Sequence, residues 1–391
     1  MIERLIIHNF KCFEALSLPL APLTLMTGFN AAGKSTALQA LLLLAQSIRE
    51  GGANQLLSLN GSLVRLGTPG DVILEGSGTE IKLGIGNANT RIDWILTPKD
   101  RLGGHALAIK RIEWQTGFKQ RVVVPVDHEL ELNGLLPKDA PEFVQKLCAG
   151  LKETIFLSAV RVGAEDVFPS PDESEPVWAD VGSQGDYAAW WFERGLDEDV
   201  DPLRLHSSEI SPILRRQFNA WADELFPGAQ ANAQHLGSSR LIQLELRNDE
   251  NEWRKPTNIG YGLSYAFPIL VAGLLAKPGQ ILVIDSPEAH LHPMGQSKMG
   301  FFLGVLAASG VQILIETHSD HVLNGVRLAI NQGKLLPTQA AIHFFNPRPR
   351  SSDEAAHVMS PQIDKNGNLS EWPSGFFDQA EKDLSTLAGW S

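Results

Sequence analysis

The chain has 391 residues, 43% of them hydrophobic, with 45 Asp and Glu against 33 Lys and Arg and a formal net charge of −12. That length and apolar content suit a globular protein of two subdomains, and the acidic balance excludes a protein that coats nucleic acid non-specifically, a mode that needs excess Lys and Arg. The two cysteines, Cys12 and Cys148, exclude a disulfide framework and a cysteine-based zinc site, and suit a reducing compartment.

In chain order, Met1-Ile2-Glu3-Arg4 opens a strand rather than a signal peptide, and no apolar run approaches a membrane span, so a cytoplasmic location without a membrane partner is expected. Leu5 to Ile7 reads as a first strand, and Ala15 to Leu20 as its return, stopped by Pro19 and Pro22. Pro22 to Thr27 reads as a short buried strand running straight into Gly28-Phe29-Asn30-Ala31-Ala32-Gly33-Lys34-Ser35-Thr36, which satisfies G-x-x-x-x-G-K-[ST]. Ala37 to Leu44 follows, rich in strong helix formers. Phosphate oxygens need many donors at short range, and backbone N–H groups at a glycine turn and a helix N-terminus supply them. Gly28 and Gly33 let the backbone approach, and Asn30, Ala31 and Ala32 contribute loop amides. Lys34 would reach the β and γ phosphates, Ser35 would coordinate Mg²⁺, and Thr36 would sit near the α phosphate.

Leu59 to Asp71 is turn-dense and reads as a surface loop. From Glu80 to Val126 short β-type runs alternate with polar turns, as in an antiparallel sheet. Arg101, Lys110, Arg111, Lys119 and Arg121, interleaved with Trp114 and Phe118, fit either a single-strand nucleic-acid face or the solvated outside of that sheet. Ile155 to Val160 reads as a buried strand ended by Arg161, whose charge either projects toward a phosphate or is merely solvated. Glu165 to Asp201 is acidic and carries Tyr187, Trp190, Trp191 and Phe192, which suggests a mobile loop and then a helix. Ile213 to Leu225 has helical spacing and would belong to an inserted helical lobe.

Gln280 to Asp285 is an apolar run ending in a carboxylate, the pattern of a central strand whose Asp must meet a cation or metal. After a phosphate loop it reads as the Mg²⁺-holding Asp285 of a Walker B strand. Val311 to Glu316 is a second such strand, and His318 beyond it is placed to touch a γ phosphate. Ahead of both, Asn258-Ile259-Gly260-Tyr261-Gly262-Leu263-Ser264 precedes an apolar helix expected from Tyr265 to Leu275, with Pro268 in its first turn. Its glycines and Ser264 make a second anion site. One chain does not need two γ-phosphate cradles, so the second is best explained by the nucleotide of a partner subunit. His290 and His292 are closely spaced, but no third convergent Cys or His supports zinc.

Together these segments, with Asp285-Ser286-Pro287-Glu288-Ala289-His290-Leu291-His292-Pro293 and Glu316 to His321, resemble the ABC/SMC-like ATPases of the AAA15 / OLD-ATPase kind. Asn366 to Gln379 resembles the small DUF3696-like C-terminal domain that some of them carry. The resemblance implies an α/β P-loop NTPase fold: an ABC-type ATPase head over 1–75 and 240–391, with an antiparallel β subdomain and an inserted helical lobe over 76–239. It implies ATP and Mg²⁺ as cofactors and an ATP-sandwich homodimer, with stoichiometry above a dimer left open. Gly260, Gly262 and Ser264 would act as the signature loop on the partner's nucleotide, His318 as the switch histidine, and Ala289 to Pro293 as the D-loop. Many such heads carry a catalytic Glu directly after the Walker B Asp, where this chain has Ser286. An unassisted hydroxyl is too weakly basic to serve, which makes Glu288 the candidate to orient water, with slow hydrolysis.

The resulting expectation is an ATP-hydrolysing, ATP-dimerising switch. The resemblance further implies regulation of a separate nuclease or toxin in phage defence, since no nuclease constellation is legible here. The alternatives are a non-hydrolysing ATP-gated scaffold and a RecF-like DNA-repair ATPase. The aromatic Trp372 to Trp390 segment either docks a partner or closes the protein's own core.

Overall fold

The computed structural model describes residues 1–51, 55–99, 104–117, 119–123, 131–172, 178–248, 252–348, 356–373 and 375–389. A hairpin of β1 (Arg4–Phe10) and β2 (Phe13–Pro19) leads to β3 (Leu23–Gly28) and α1 (Lys34–Glu50). After β4 (Leu56–Ser58) and the single turn α2 (Pro69–Val72) come β5 (Ile81–Gly86), β6 (Thr90–Pro98), β7 (Ala106–Thr116) and β8 (Lys119–Val123). A small hairpin, β9 (Leu132–Asn133) and β10 (Leu136–Pro137), precedes α3 (Glu142–Lys152), β11 (Ile155–Leu157) and β12 (Val167–Pro169). Then follow α4 (Ala188–Arg194), α5 (Leu214–Leu225), β13 (Ala229–His235), β14 (Leu241–Asn248) and α6 (Tyr261–Leu275). The last third alternates β15 (Ile281–Asp285), α7 (Pro293–Ala308), β16 (Gln312–Glu316), α8 (Asp320–Asn331) and β17 (Ala340–Phe345), and ends with β18 (Val358–Met359) and α9 (Gln379–Leu387).

The chain divides into two compact units, one of Met1–Ala21, Gly33–Thr154 and Gly279–Ile281, the other of Pro22–Ala32, Ile155–Pro278 and Leu282–Ser391. In the first, strands run in the order β2-β1-β5-β6-β7-β4, with β8 on β7. Apolar Ile92, Trp94 and Leu96 alternate along β6 on a buried face, and the Trp94 indole donates to the Leu135 carbonyl (2.9 Å). Because β1 pairs with β5, Leu5 opposite Ile85, this sheet draws on both sides of the expected 75/76 boundary. A ladder between distant segments is a tertiary contact that periodicity in either segment does not encode. The basic run on this sheet is paired: Lys110 bonds Glu80, and Arg111 bonds Glu113 (2.7 Å). Trp114 is buried, so it forms no open stacking surface. Arg101 and Phe118 lie outside the described residues, as do the side chains of Lys119 and Arg121.

In the second unit the strand order is β11-β15-β16-β3-β17-β18, with β3 parallel to both β16 and β17. β16 is buried throughout, and β3 and β15 are buried up to their last residues, which accounts for their near-continuous apolar runs. The helical lobe belongs to this same unit, since Phe192 of α4 lies 4.8 Å from Phe218 of α5 and 5.4 Å from Phe267 of α6, ring centre to ring centre. A buried Arg204 satisfies the end of α6, its guanidinium donating to the carbonyls of Gly273, Leu274 and Ala276. The helix expected from Tyr265 begins at Tyr261, directly after Gly260 at φ 87°, so Pro268 is in its interior rather than its first turn. Packing of an almost wholly apolar helix into the core outweighs the one hydrogen bond that proline removes. Among the described residues no helix is long and apolar enough to cross a membrane.

Candidate nucleotide-binding site

The carboxyl end of β3 delivers the glycine loop between β16 and β17, with Met26 opposite Glu316 and Gly28 opposite Phe345. Ligands of open α/β sheets bind outside such strand ends. Gly28 has φ 122°, and a Cβ there would lie 2.3 Å from the Phe345 carbonyl oxygen. Gly33, the N-cap of α1, has φ 104°, and its Cβ would lie 2.5 Å from Phe13 Cζ. Only glycine fits either position. Ala31 is left-handed at φ 59°, Asn30 is exposed, and Ala32 N–H turns back to the Phe29 carbonyl (3.4 Å). Lys34, Ser35 and Thr36 open the first turn of α1, which carries no acidic residue, leaving the helix N-terminus electropositive. Lys34 is only 3% exposed, whereas Ser35 is open to solvent.

Asp285 and Glu316 end the neighbouring strands β15 and β16. Ser286 turns the chain at φ 50°, its N–H donating to the Glu316 carbonyl (2.8 Å) and its hydroxyl to Asp285 Oδ1 (2.9 Å). Thr317 N–H donates to the Met26 carbonyl of β3 (3.0 Å). Gly28, Asp285 and His318 therefore share one end of adjacent strands. Glu288, expected to orient water, engages both carboxylate oxygens elsewhere: Oε2 accepts from Thr317 Oγ1 (2.7 Å) and Oε1 from the backbone N–H of His318 (2.8 Å). The His318 ring itself is exposed, and Ser319 caps α8 behind it. His292 is likewise a cap, its Nδ1 accepting from Met294 N–H at the start of α7 (3.4 Å).

Arg161 is neither solvated nor aimed outward. It is 3% exposed, and its Nη2 donates to the carbonyls of Asp285 (2.6 Å) and Ser286 (3.1 Å). Burial lowers its pKa to about 10, opposed by the charges of Asp285 and Glu288, so it is cationic at neutral pH. The apolar strand before Arg161 predicted a strand end, but nothing in the sequence identified the carbonyls it would hold.

In the signature segment Gly260 and Tyr261 are exposed, Gly262 is half-buried, and Ser264 is 4% exposed with its hydroxyl enclosed among the described residues. The exposed part of this segment is thus the Gly260–Tyr261 corner, not the Ser264 hydroxyl. Tyr261, a bulky ring between two glycines at the helix start, is 57% exposed.

The C-terminal stretch reaches the phosphate loop from outside. The His357 Nε2–H donates to the Ala32 carbonyl (2.9 Å), and Phe29 stacks edge-on against Phe344 (5.8 Å). Phe376 is buried and also packs on Phe344 (5.1 Å), so this part of the aromatic tail closes the protein's own core.

A carboxylate is a hard oxygen donor of the kind Mg²⁺ takes, and Asp285 offers one at the end of β15. Among the described residues no group of three or more His, Cys, Asp and Glu could hold a metal alone.

A glycine loop between a buried parallel strand and a helix, a carboxylate ending β15, and a histidine beyond β16 are the arrangement of a P-loop ATPase. Residues 1–77 match the family described as an AAA ATPase domain, residues 135–324 the family described as "AAA domain, putative AbiEii toxin, Type IV TA system", and residues 335–387 a protein family of unknown function, DUF3696. The chain is 51% identical over 41 residues to the OLD nuclease of Thermus scotoductus, covering 10% of this chain and 8% of that protein. It is 38% identical over 99 residues to the energy-coupling factor transporter ATP-binding protein EcfA of Methanococcus maripaludis, covering 24% of this chain and 34% of that protein. The chain thus spans under a tenth and about a third of these relatives' lengths. An SmcHead, solved bound to the C-winged helix domain of ScpA, shares its fold, with a TM-score of 0.51, 14% identity and coverage of 93% of this chain and 98% of that one. In sequence the chain is similar to P-loop ATPases, an OLD nuclease and an energy-coupling factor ATP-binding protein among them, and in fold to an SMC head.

Proposed function

We propose that the protein binds ATP with Mg²⁺, dimerises around two nucleotides and hydrolyses them slowly, acting as a switch for a separate effector. The observation that carries this reading is the convergence of Gly28, Asp285 and His318 at one end of neighbouring strands. Lys34 and the loop amides bind the phosphates, Ser35 and Asp285 hold Mg²⁺, and His318 senses the γ phosphate. The bound cation neutralises phosphate charge, and the residues around it orient the triphosphate. Gly260, Gly262 and Ser264 complete the partner's site, with Gly260 and Tyr261 making the approach.

Slow turnover follows from two features. Ser286 replaces a carboxylate beside Asp285, and Glu288 is held by Thr317 and His318, so it can orient water only after releasing one of them. The same features favour the second reading, an ATP-gated scaffold without hydrolysis. Phosphate release by purified protein, with Lys34→Ala as the blank, decides between the two. Turnover of the wild type above that blank supports the switch, and equal rates leave the scaffold.

The effector is proposed to be a separate nuclease or toxin in cytoplasmic phage defence, in keeping with the similarity to an OLD nuclease of which this chain matches only a small part. Capture of a nuclease or toxin by the tagged protein in its native host, lost on Lys34→Ala substitution, is the expected result. DNA-stimulated turnover would instead support a RecF-like repair role.

A further inference from the structure

The geometry points to Arg161 as a positioning residue that fixes the Walker B turn and ties it to the signature helix of the same chain. Three observations carry this. Arg161 Nη2 bridges two consecutive carbonyls, those of Asp285 and Ser286, across a turn whose Ser286 sits at a left-handed φ of 50°. A non-glycine residue persists in that conformation only when its surroundings over-determine it, and the guanidinium does so here. Its remaining Nε and Nη1 are buried with no hydrogen-bond partner among the described residues, a cost that the bonds made by Nη2 have to offset.

The third observation is where the other side of the guanidinium rests. Arg161 Cζ lies 5.9 Å from the ring centre of Tyr265, on the second turn of α6. Tyr265 in turn meets His290 of the D-loop edge-on (4.4 Å), and His290 lies 5.6 Å from Tyr261 beside Gly260. His290 is itself left-handed, at φ 62°. The path therefore runs from the turn carrying Asp285, through Arg161 and Tyr265, to the corner that the signature loop offers a second subunit. A shift of that corner on the partner's nucleotide is transmitted to the chain's own Mg²⁺-holding carboxylate.

The positioning role concerns Asp285 alone, whereas the coupling rests on the ATP-sandwich reading proposed above. The test compares wild type, Arg161→Met, Arg161→Lys and Tyr265→Leu in ATP affinity with Mg²⁺ and with EDTA, in turnover and its Hill coefficient, in ATP-dependent dimerisation by light scattering, and in thermal midpoint. Arg161→Met should lose most of the Mg²⁺-dependent gain in ATP affinity and at least tenfold in kcat, while affinity in EDTA changes less than threefold. Arg161→Lys, which keeps the charge and one donor, should recover part of both. Tyr265→Leu should lower the Hill coefficient toward one while leaving ATP affinity in EDTA unchanged. An Arg161→Met protein that melts earlier but keeps its Mg²⁺ gain and kcat makes the residue merely structural and overturns the proposal. If Arg161→Met does not fold, Arg161→Lys with an undiminished Mg²⁺ gain and kcat overturns it equally. A wild type that stays monomeric with ATP sinks the sandwich and the coupling, and leaves the Mg²⁺-affinity arm to judge Arg161 at Asp285.

Discussion

The carboxylate of Glu288 accepts the backbone N–H of His318 at 2.8 Å, while its other oxygen holds Thr317 at 2.7 Å. The segment after one strand thereby sets the main chain after the next, and the backbone of the exposed His318 is held by a residue thirty positions earlier in sequence. Hydrogen bonds to a charged group contribute roughly 1.5–3 kcal/mol each, so releasing either tie carries a cost of that order.

Glu288→Ala should therefore cut ATP turnover at least tenfold, by about 1.4 kcal/mol or more of lost transition-state stabilisation. Thr317→Val, removing one of the two ties, should act in the same direction and less. Glu288→Gln keeps an oxygen for the His318 amide and should stay within about tenfold of wild type. A loss above a hundredfold in Glu288→Gln would instead give the carboxylate itself a role at the attacking water. Steady-state phosphate release measures all three.

Lys34→Ala should weaken ATP binding at least tenfold, read with a fluorescent ATP analogue, and abolish any nucleotide-dependent dimer in light scattering. The thermal midpoint, measured alongside, separates lost binding from lost folding, since Lys34 is buried. Retained affinity would remove the phosphate loop from the account.

Gly28→Ala should destabilise the protein by about 2–5 kcal/mol, combining a left-handed backbone with a contact no side chain can relieve. The new Cβ would sit 2.3 Å from a main-chain oxygen of Phe345. A urea midpoint unchanged from wild type would mean that β17 is not fixed against β3.

Cys148 on α3 is buried, and burial pushes its thiol up from 9.0 to about 12. A thiol whose folded pKa is raised keeps its full contribution to stability below the unfolded value and loses it as pH rises toward the folded value. Between pH 9 and about 10.5 unfolding stability should therefore fall by roughly 1.4 kcal/mol per pH unit from this group, and Cys148→Ala should flatten that slope. At pH 8 a thiol reagent should modify only Cys12 until the protein is unfolded.

The sequence by itself determined the phosphate loop, because G-x-x-x-x-G-K-[ST] needs glycines where the chain is left-handed and crowded, and that need is local. It also determined the buried strands ending in Asp285 and Glu316, whose uninterrupted apolar runs can only be central, and the residue substitution at Ser286. Tertiary structure alone decided what lies around them. The partners of Glu288 are 29 and 30 residues away, Arg161 reaches carbonyls more than 120 residues on, and β1 pairs with β5 across the whole phosphate-loop helix. Such contacts depend on which strand ends the sheet order brings side by side, and sheet order is fixed by the summed burial of many segments rather than by any motif within one. For the same reason α6 starts four residues earlier than its glycines and proline suggested: burial of its apolar faces decided the register, and local propensity yielded.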